Sequence, residues 1–232
     1  MNNRNKKQRW KKCLEKDLLP EIRYLIKLKI VYKKLEDIFV GSKKYPEKSY
    51  FYWYLGQVHA ASIVSGVYRL IDERKDVVSL LRLLVEVYKY PELVSRRAYT
   101  RLTRNLYRDQ FDYREEKRRL NNEFTDRAGN GQYINPSILN GDIKQIESVS
   151  KKIARFRHKF VSHHAYNQKR YRLKPTFKQA HDCVGRLADI FHKYRLLIIG
   201  SGTEIIENWE IRKIENDILK IFNASKEKEN DL

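Results

Sequence analysis

The chain has 232 residues, 41% of them hydrophobic and 12% aromatic, so it can bury a substantial core and is too apolar to remain disordered. Its 49 lysines and arginines against 29 acidic residues give a formal net charge of +20, which favours a polyanionic partner such as a nucleic acid, although lysine-rich codon usage would produce a similar excess. It lacks the roughly 20-residue apolar run of a membrane span and the apolar segment of a secretory signal, and its two cysteines are far apart, so we expect a reduced, cytoplasmic protein without a membrane partner.

Helical periodicity dominates the sequence and predicts an all-α fold, an up-and-down helical bundle. The predicted helices cover, in chain order, residues 17–40, 47–72, 76–90, 91–124, 142 to about 166, 176–199 and 204–222. Asp76 and Asp142 are the expected N-caps of the third and fifth of these helices. The clearest break between helices is the glycine-containing stretch at residues 129–141.

Two helices are additions to the bundle, one long and one C-terminal. The long amphipathic helix at 91–124 carries many charge pairs that suit an exposed position. Its segment 96–108 interleaves arginine with tyrosine, a mixture that suits RNA and equally an ordinary solvated helix face. We expect a domain at 17–222, preceded by a basic N-terminal extension at 1–16 and followed by a flexible tail at 223–232.

The stretch RHKFVSHHAY, residues 157–166, contains three of the six histidines. On a helical wheel Arg157 lies within about 40° of Ile153, inside the apolar face, and His164 lies within about 20° of Arg157. An arginine buried there without a partner would be costly. Either it forms a salt bridge to a neighbouring helix, or it faces a cleft that receives an anion such as phosphate. The carboxylates available for a salt bridge are Asp72, Glu73 and Asp142.

Histidines beside an arginine can perform a specific reaction on RNA. A histidine with a pKa near neutrality can take a proton from a ribose 2′-hydroxyl or give one to a leaving 5′-oxygen. The arginine can bind the scissile phosphate through two N–H groups and stabilise the charge of the transition state. These two roles suffice for RNA cleavage without a metal ion.

Two segments of the chain resemble HEPN domains of the abortive-infection AbiU-type subgroup. Arg157 is followed by the polar His158 and then by His163 or His164, which matches the motif R-x(4–6)-H. The segment YRLIDERKDVVSLLRLL at 68–84 matches a second helical element of that subgroup. The resemblance implies a homodimer that brings two motifs into one composite cleft. The implied activity is that of a metal-independent endoribonuclease that needs no cofactor, leaves a 2′,3′-cyclic phosphate and acts as a toxin or in anti-phage defence.

The resemblance assigns catalytic roles within the motif. Arg157 would hold the scissile phosphate, His163 would act as general acid or base, and His158 would orient the site. His164 would assist His163 or take its place: the spacing of the subgroup favours His163, whereas the regular helical wheel favours His164.

Four basic residues and one tyrosine in the same region complete the expected site. Lys159, Lys169, Arg170 and Arg172 would bind RNA, with tRNA among the candidate substrates. Tyr166 follows His164 in an H-x-Y arrangement that some HEPN toxins carry, and a partner nucleotidyltransferase, or another antitoxin, would silence the protein by adding AMP there.

Two other functions remain compatible with the sequence. The chain could be a non-catalytic RNA- or nucleotide-binding module in which the motif is a binding pocket. It could also be a structural subunit of a defence or toxin–antitoxin complex, in which Arg157 closes a buried salt bridge.

Overall fold

The computed structural model describes residues 2–40, 49–104, 113–158, 175–201 and 204–227. Within these ranges the chain is helical apart from turns and one isolated bridge between Ser95 and Tyr133, which confirms the predicted all-α bundle. The helices are α1 (Asn3–Lys12), α2 (Leu19–Val40), α3 (Tyr50–Ile71), α4 (Leu80–Lys89), α5 (Arg96–Arg104), α6 (Tyr113–Ala128), α7 (Pro136–Phe156), α8 (Phe177–Ile199) and α9 (Asn208–Glu227). Most residues of α8 are buried. This helix packs against α1, α2, α3, α5 and α7.

A π-helical turn, Cys13–Leu18, joins α1 to α2, so the helical conformation continues without a break from one to the other. In this turn the N–H of Leu19 bonds to the carbonyl of Leu14, five residues back. Pro20 follows directly, and a proline has no N–H and crowds the carbonyl four residues before it. The wider turn accommodates Pro20 without breaking the helix.

The first 16 residues, expected to form an extension, contribute to the core of the domain. Trp10 is 1% exposed and Leu14 is fully buried. The Trp10 indole N–H donates to Glu86 of α4 at 2.9 Å, and Arg9 pairs with the same carboxylate at 2.5 Å. A buried tryptophan needs such an acceptor, and this one fixes α1 against α4.

The third predicted helix corresponds to α4, which begins later than predicted. Ser79, rather than Asp76, is the N-cap of α4, and its hydroxyl accepts the Arg82 N–H at 3.2 Å. The same hydroxyl donates to the carbonyl of Asp72 at 2.6 Å. The Ser79 hydroxyl therefore caps α4 and also binds the carbonyl of Asp72 at the end of α3. Asp76 does not make these two bonds.

In place of the predicted long helix at 91–124, the structure has α5 and α6 packed against each other. The Arg96 guanidinium, at the start of α5, donates to the carbonyls of Asn121 and Gly129 near the end of α6, so the two helices are antiparallel. Tyr99 and Phe124 are fully buried with their ring centroids 5.8 Å apart. A single protruding helix would have left both rings in water.

The fifth predicted helix, α7, begins before the expected cap. Asn135 caps it by accepting the Ser137 N–H, and Pro136 occupies the first turn. Asp142 lies inside the helix and accepts hydrogen bonds from Lys193 and Tyr194 of α8, both at 2.6 Å. The aspartate therefore fastens α7 to α8 instead of starting α7.

The C-terminal helix α9 extends to Glu227, beyond the expected domain end at residue 222. Its Glu210 pairs with Arg23 and Lys27 of α2, at 2.6 and 2.8 Å, which fixes α9 against α2. None of the helices in the described ranges carries an apolar run long enough to cross a membrane.

Candidate active site

Arg157 stands at the end of α7, where the apolar face of that helix places it. Ile146 and Ile153 on this face are buried in the core, and Phe156 packs against it. The helical conformation continues at Arg157, whose N–H bonds to the carbonyls of Ile153 and Ala154. Its side chain is therefore directed toward the neighbouring α3, as the helical wheel predicts, and Arg157 is partly buried.

The guanidinium of Arg157 lies over the ring of Tyr68, near the C-terminal end of α3, with 3.8 Å between Cζ and the ring centroid. A cation over an aromatic face is stabilised by the ring quadrupole. A guanidinium that stacks on a ring keeps its in-plane N–H groups available for hydrogen bonds. Arg157 can therefore be held by Tyr68 and still bind an anion through its edge.

Two of the three carboxylates expected to pair with Arg157, Asp72 and Asp142, have other partners. Asp72, only 5% exposed, accepts hydrogen bonds from the Arg74 guanidinium at 2.8 to 3.1 Å and from the Arg74 backbone N–H. Asp142 is bound by Lys193 and Tyr194. Within the described residues no salt bridge joins Arg157 to Asp72, Glu73 or Asp142, and the contact that its guanidinium makes is with Tyr68.

Asp72 nevertheless contributes to the electrostatics around Arg157. The hydrogen bonds from the Arg74 side chain hold the pKa of Asp72 below its ordinary value, against the opposing effect of burial, and the charge of Arg157 adds to this lowering. The carboxylate is therefore ionised at neutral pH. Its negative charge offsets part of the cost of keeping the Arg157 cation half-buried.

The turn between α3 and α4, residues 72–79, is held in one conformation by its own hydrogen bonds. Arg82 donates to the backbone carbonyls of Arg74 and Val77, at 2.9 and 2.7 Å, and also to Lys75. Ser79 closes the turn through the Asp72 carbonyl. This network fixes the end of α3 beside Arg157.

The described residues include only two members of the predicted site. His158 follows Arg157 and is exposed. The remaining predicted site residues lie outside the described ranges, and their roles stay predictions: Lys159, His163, His164, Tyr166, Lys169, Arg170 and Arg172. Sequence reasoning missed Tyr68, although it is the first residue of the segment 68–84 that carries part of the resemblance.

A second histidine cluster lies in the core between α2, α3 and α8. His59 and His181 are 6% and 4% exposed, and their Nε2 atoms are 2.8 Å apart, so one ring donates and the other accepts. Tyr32 stacks on His59 with 4.0 Å between ring centroids, and Phe177 packs against both rings, with its centroid 4.6 Å from that of Tyr32 and 5.6 Å from that of His59. Burial lowers the pKa of both histidines to about 4. Both histidines are therefore core residues, held by each other and by aromatic rings.

Within the described ranges, no three His, Cys, Asp or Glu side chains are grouped so as to hold a metal ion. Comparison with protein families gives one finding: the family model HEPN_AbiU2, described as AbiU2, matches residues 8–209. This range contains both segments that carry the resemblance, and the match confirms it. No curated protein and no solved structure gives a significant match.

Proposed function

The chain belongs to the HEPN AbiU2 family, and from that premise we propose that it is a metal-independent endoribonuclease acting in anti-phage defence or as a toxin. The observation that supports this most directly is the meeting of the two family segments in space. The motif residue Arg157 lies over the ring of Tyr68 of the other segment and is only partly buried. Such an arrangement suits binding of a phosphodiester.

The proposed reaction is an internal transesterification of RNA. A base takes the proton of the ribose 2′-hydroxyl, the 2′-oxygen attacks the phosphorus, and the bond to the 5′-oxygen breaks. An acid protonates the leaving 5′-oxygen, so the products are a 2′,3′-cyclic phosphate and a 5′-hydroxyl. His163 is the proposed acid or base, with His164 assisting or substituting and His158 orienting the site. Arg157 binds two non-bridging oxygens and stabilises the added negative charge.

Further parts of the proposal come from the family and concern partners. The protein acts as a homodimer in which two copies of the motif form one cleft, and its substrate is RNA, with tRNA as the first candidate. Lys159, Lys169, Arg170 and Arg172 bind the RNA beside the cleft. Transfer of AMP to Tyr166 by a nucleotidyltransferase partner silences the enzyme.

A second function is favoured by a specific observation. The stack of Arg157 on Tyr68 is itself a stabilising contact, so packing alone accounts for the position of the arginine. On this alternative the protein binds RNA or a nucleotide without cleaving it, or serves as a structural subunit of a defence complex.

The deciding experiment incubates the purified chain with labelled tRNA in EDTA, beside the His163→Ala variant. We expect cleavage by the wild type alone, with cyclic-phosphate ends identified by mass spectrometry. Equal cleavage by both proteins would place the chemistry outside the motif, and cleavage that needs added Mg²⁺ would contradict the metal-independent mechanism. If neither protein cuts, the mass of the Tyr166 peptide decides: added AMP indicates a silenced nuclease, and an unmodified tyrosine supports the binding module.

A further inference from the structure

A second basic site lies between α1 and α5, away from the end of α7. The two helices border a groove of about 410 Å³ lined by four cationic side chains, Arg4, Lys7, Lys11 and Arg101. Its lining also includes Ala98 and Leu102 and contains no carboxylate. Elsewhere in the described part of the chain, cations such as Arg9, Arg23 and Lys193 are paired with acids.

The packing of α1 fixes these cations in one row. Arg4, Lys7 and Lys11 are spaced three and four residues apart, so they share one face of the helix. The insertion of Trp10 into the core, together with its bond to Glu86, sets the rotation of α1. The row therefore faces α5 as a consequence of the fold.

Arg101 of α5 completes the site from the opposite side. Two positions earlier, Tyr99 is buried against α6, whereas Arg101 is exposed and borders the groove. The α5 helix thus presents an apolar side to the core and a cationic side to α1. The segment 96–108, whose mixture of arginine and tyrosine left two interpretations open, takes part in the groove through Arg101.

Placing four like charges around one groove costs free energy in the unliganded protein. The pKa of Lys7 is lowered, first because the side chain is partly buried and then because Lys11 and Arg101 repel its charge. An anion in the groove would remove this repulsion, since each cation would then have a counter-charge. The geometry and the absence of a lining carboxylate both favour an anionic ligand.

We propose that the groove between α1 and α5 binds the phosphate backbone of a single-stranded RNA segment. The choice of RNA rests on the proposed function, and the groove serves as a binding site for a part of the substrate distant from Arg157. The helical rise places Arg4 and Lys11 roughly 10 Å apart, so the row is long enough to contact more than one phosphate of a strand. A cleft between two helices admits a strand, whereas a flat membrane surface would not reach its floor.

The Arg4 end of the groove lies near the C-terminal end of α4, whereas the other end of α4 is nearer the candidate active site. Lys6 of α1 stacks on Tyr90, just after α4, while Cys13 borders the turn before α4 together with Ser79. The lining of the groove includes neither Arg157 nor Tyr68 and Asp72, which lie beside it, so the groove and the candidate active site are separate. RNA bound in the groove would therefore not occupy the phosphate position at Arg157.

The test measures binding of an RNA of about 20 nucleotides whose 2′-hydroxyls are methylated, because such an RNA cannot undergo internal attack. Fluorescence anisotropy over a salt series compares the wild type with the double variant Lys7→Gln/Arg101→Gln. Each lost phosphate contact lowers the slope of log K against log salt concentration by about 0.7 for a single strand. We expect the slope to fall by about 1.4, with a roughly tenfold loss of affinity at low salt.

The matched control removes an arginine and a lysine from α9, in the variant Arg212→Gln/Lys213→Gln, where both side chains are exposed. The control has the same net charge as the groove variant, so equal slopes in the two would overturn the proposal. Weaker binding to phosphatidylserine vesicles, with RNA binding unchanged, would overturn it in favour of a membrane surface. Thermal melting checks the fold: removing like charges should leave the melting temperature unchanged or slightly higher.

The outcomes of these experiments distinguish a failure of the groove proposal from a failure of the proposed nuclease activity. Cleavage of tRNA in EDTA, together with identical RNA binding by the groove variant and the control, would overturn the groove alone. Groove-dependent binding without any cleavage, and with Tyr166 unmodified, would support the groove and overturn the proposed nuclease activity.

Discussion

Two regions bring basic and aromatic side chains together, and they differ in what they leave exposed. In the core, His59 and His181 bond to each other and are enclosed by Tyr32 and Phe177. At the end of α7, Arg157 rests on one aromatic ring and is only partly buried. The first region is closed to solvent, whereas the guanidinium in the second remains partly accessible.

The comparison shows that a shifted pKa does not by itself identify a site. Desolvation lowers the pKa of both core histidines to about 4, and Lys29 and Lys33 add to the lowering at His181. Shifts of this size are common at catalytic sites, but closed structural pairs produce them too. The accessible cation at the end of α7, in a family motif, is the better indication of function.

The largest expected effect is on cleavage, and it comes from replacing Arg157 by lysine. Lysine keeps the positive charge but loses the planar pair of N–H groups that binds two phosphate oxygens. We expect the rate of tRNA cleavage in EDTA to fall by about 100- to 1,000-fold, with the melting temperature within a few degrees of wild type. Single-turnover cleavage and circular dichroism provide the two measurements.

The control for Arg157→Lys is a variant of the core histidine pair, His59 and His181. The double variant His59→Leu/His181→Leu removes both partners of the buried bond, a change that can be nearly neutral for stability when shape is kept. It should cleave tRNA at the wild-type rate. Cleavage lost in the histidine variant but retained in Arg157→Lys would reverse the assignment of the two regions.

The second prediction concerns pH and the buried pair. In the unfolded chain both histidines titrate near the ordinary value of 6.5, whereas their pKa in the folded protein is about 4. The unfolded state therefore binds more protons as pH falls below 6.5, and the pair destabilises the fold progressively down to about pH 4. The free energy of unfolding should fall by about 1.4 kcal/mol per pH unit for each histidine that remains neutral when folded. Urea denaturation at several pH values measures this slope.

Comparison with His59→Leu/His181→Leu isolates the histidines in that experiment. Carboxylates such as Glu210, whose pKa is lowered mainly by a hydrogen bond from Lys27, also lose stabilising interactions in acid. Their contribution disappears at lower pH, as pH falls from about 4.5 through their lowered pKa. Parallel curves for the wild type and the double variant between pH 4.5 and 6.5 would show that the pair does not control acid stability.

The sequence predicts the helices well because burial of one face imposes a period of 3.6 residues. The ends were less predictable, because caps are chosen by tertiary partners. Ser79 caps α4 because it also satisfies the Asp72 carbonyl, which no local pattern reveals. Likewise, the continuous periodicity of 91–124 did not show that Tyr99 and Phe124 bury each other across a hairpin.

At the candidate site, periodicity predicted that Arg157 lies within an apolar face, but not what it contacts. The sequence offered three carboxylates as partners, and the structure uses an aromatic ring. With 16 tyrosines in the chain, nothing local distinguishes Tyr68. The bond between His59 and His181 joins residues 122 positions apart, so it too follows only from the fold.

The smallest expected effect is on kcat for RNA cleavage, and it comes from replacing Tyr68, which tests whether the ring of Tyr68 positions Arg157. Tyr68→Leu keeps an apolar side chain but removes the ring, and cation–π contacts contribute about 0.5 to 2 kcal/mol depending on exposure. We expect kcat for RNA cleavage to fall by roughly 3- to 10-fold, with KM changing less, since a mobile guanidinium reaches the transition state less often. Tyr68→Phe retains the ring and should cleave RNA at the wild-type rate, which would exclude loss of the hydroxyl as the cause of the effect in Tyr68→Leu. Wild-type activity in Tyr68→Leu would show that the ring does not position Arg157, and the contrast with the enclosed histidine pair would then rest on exposure alone.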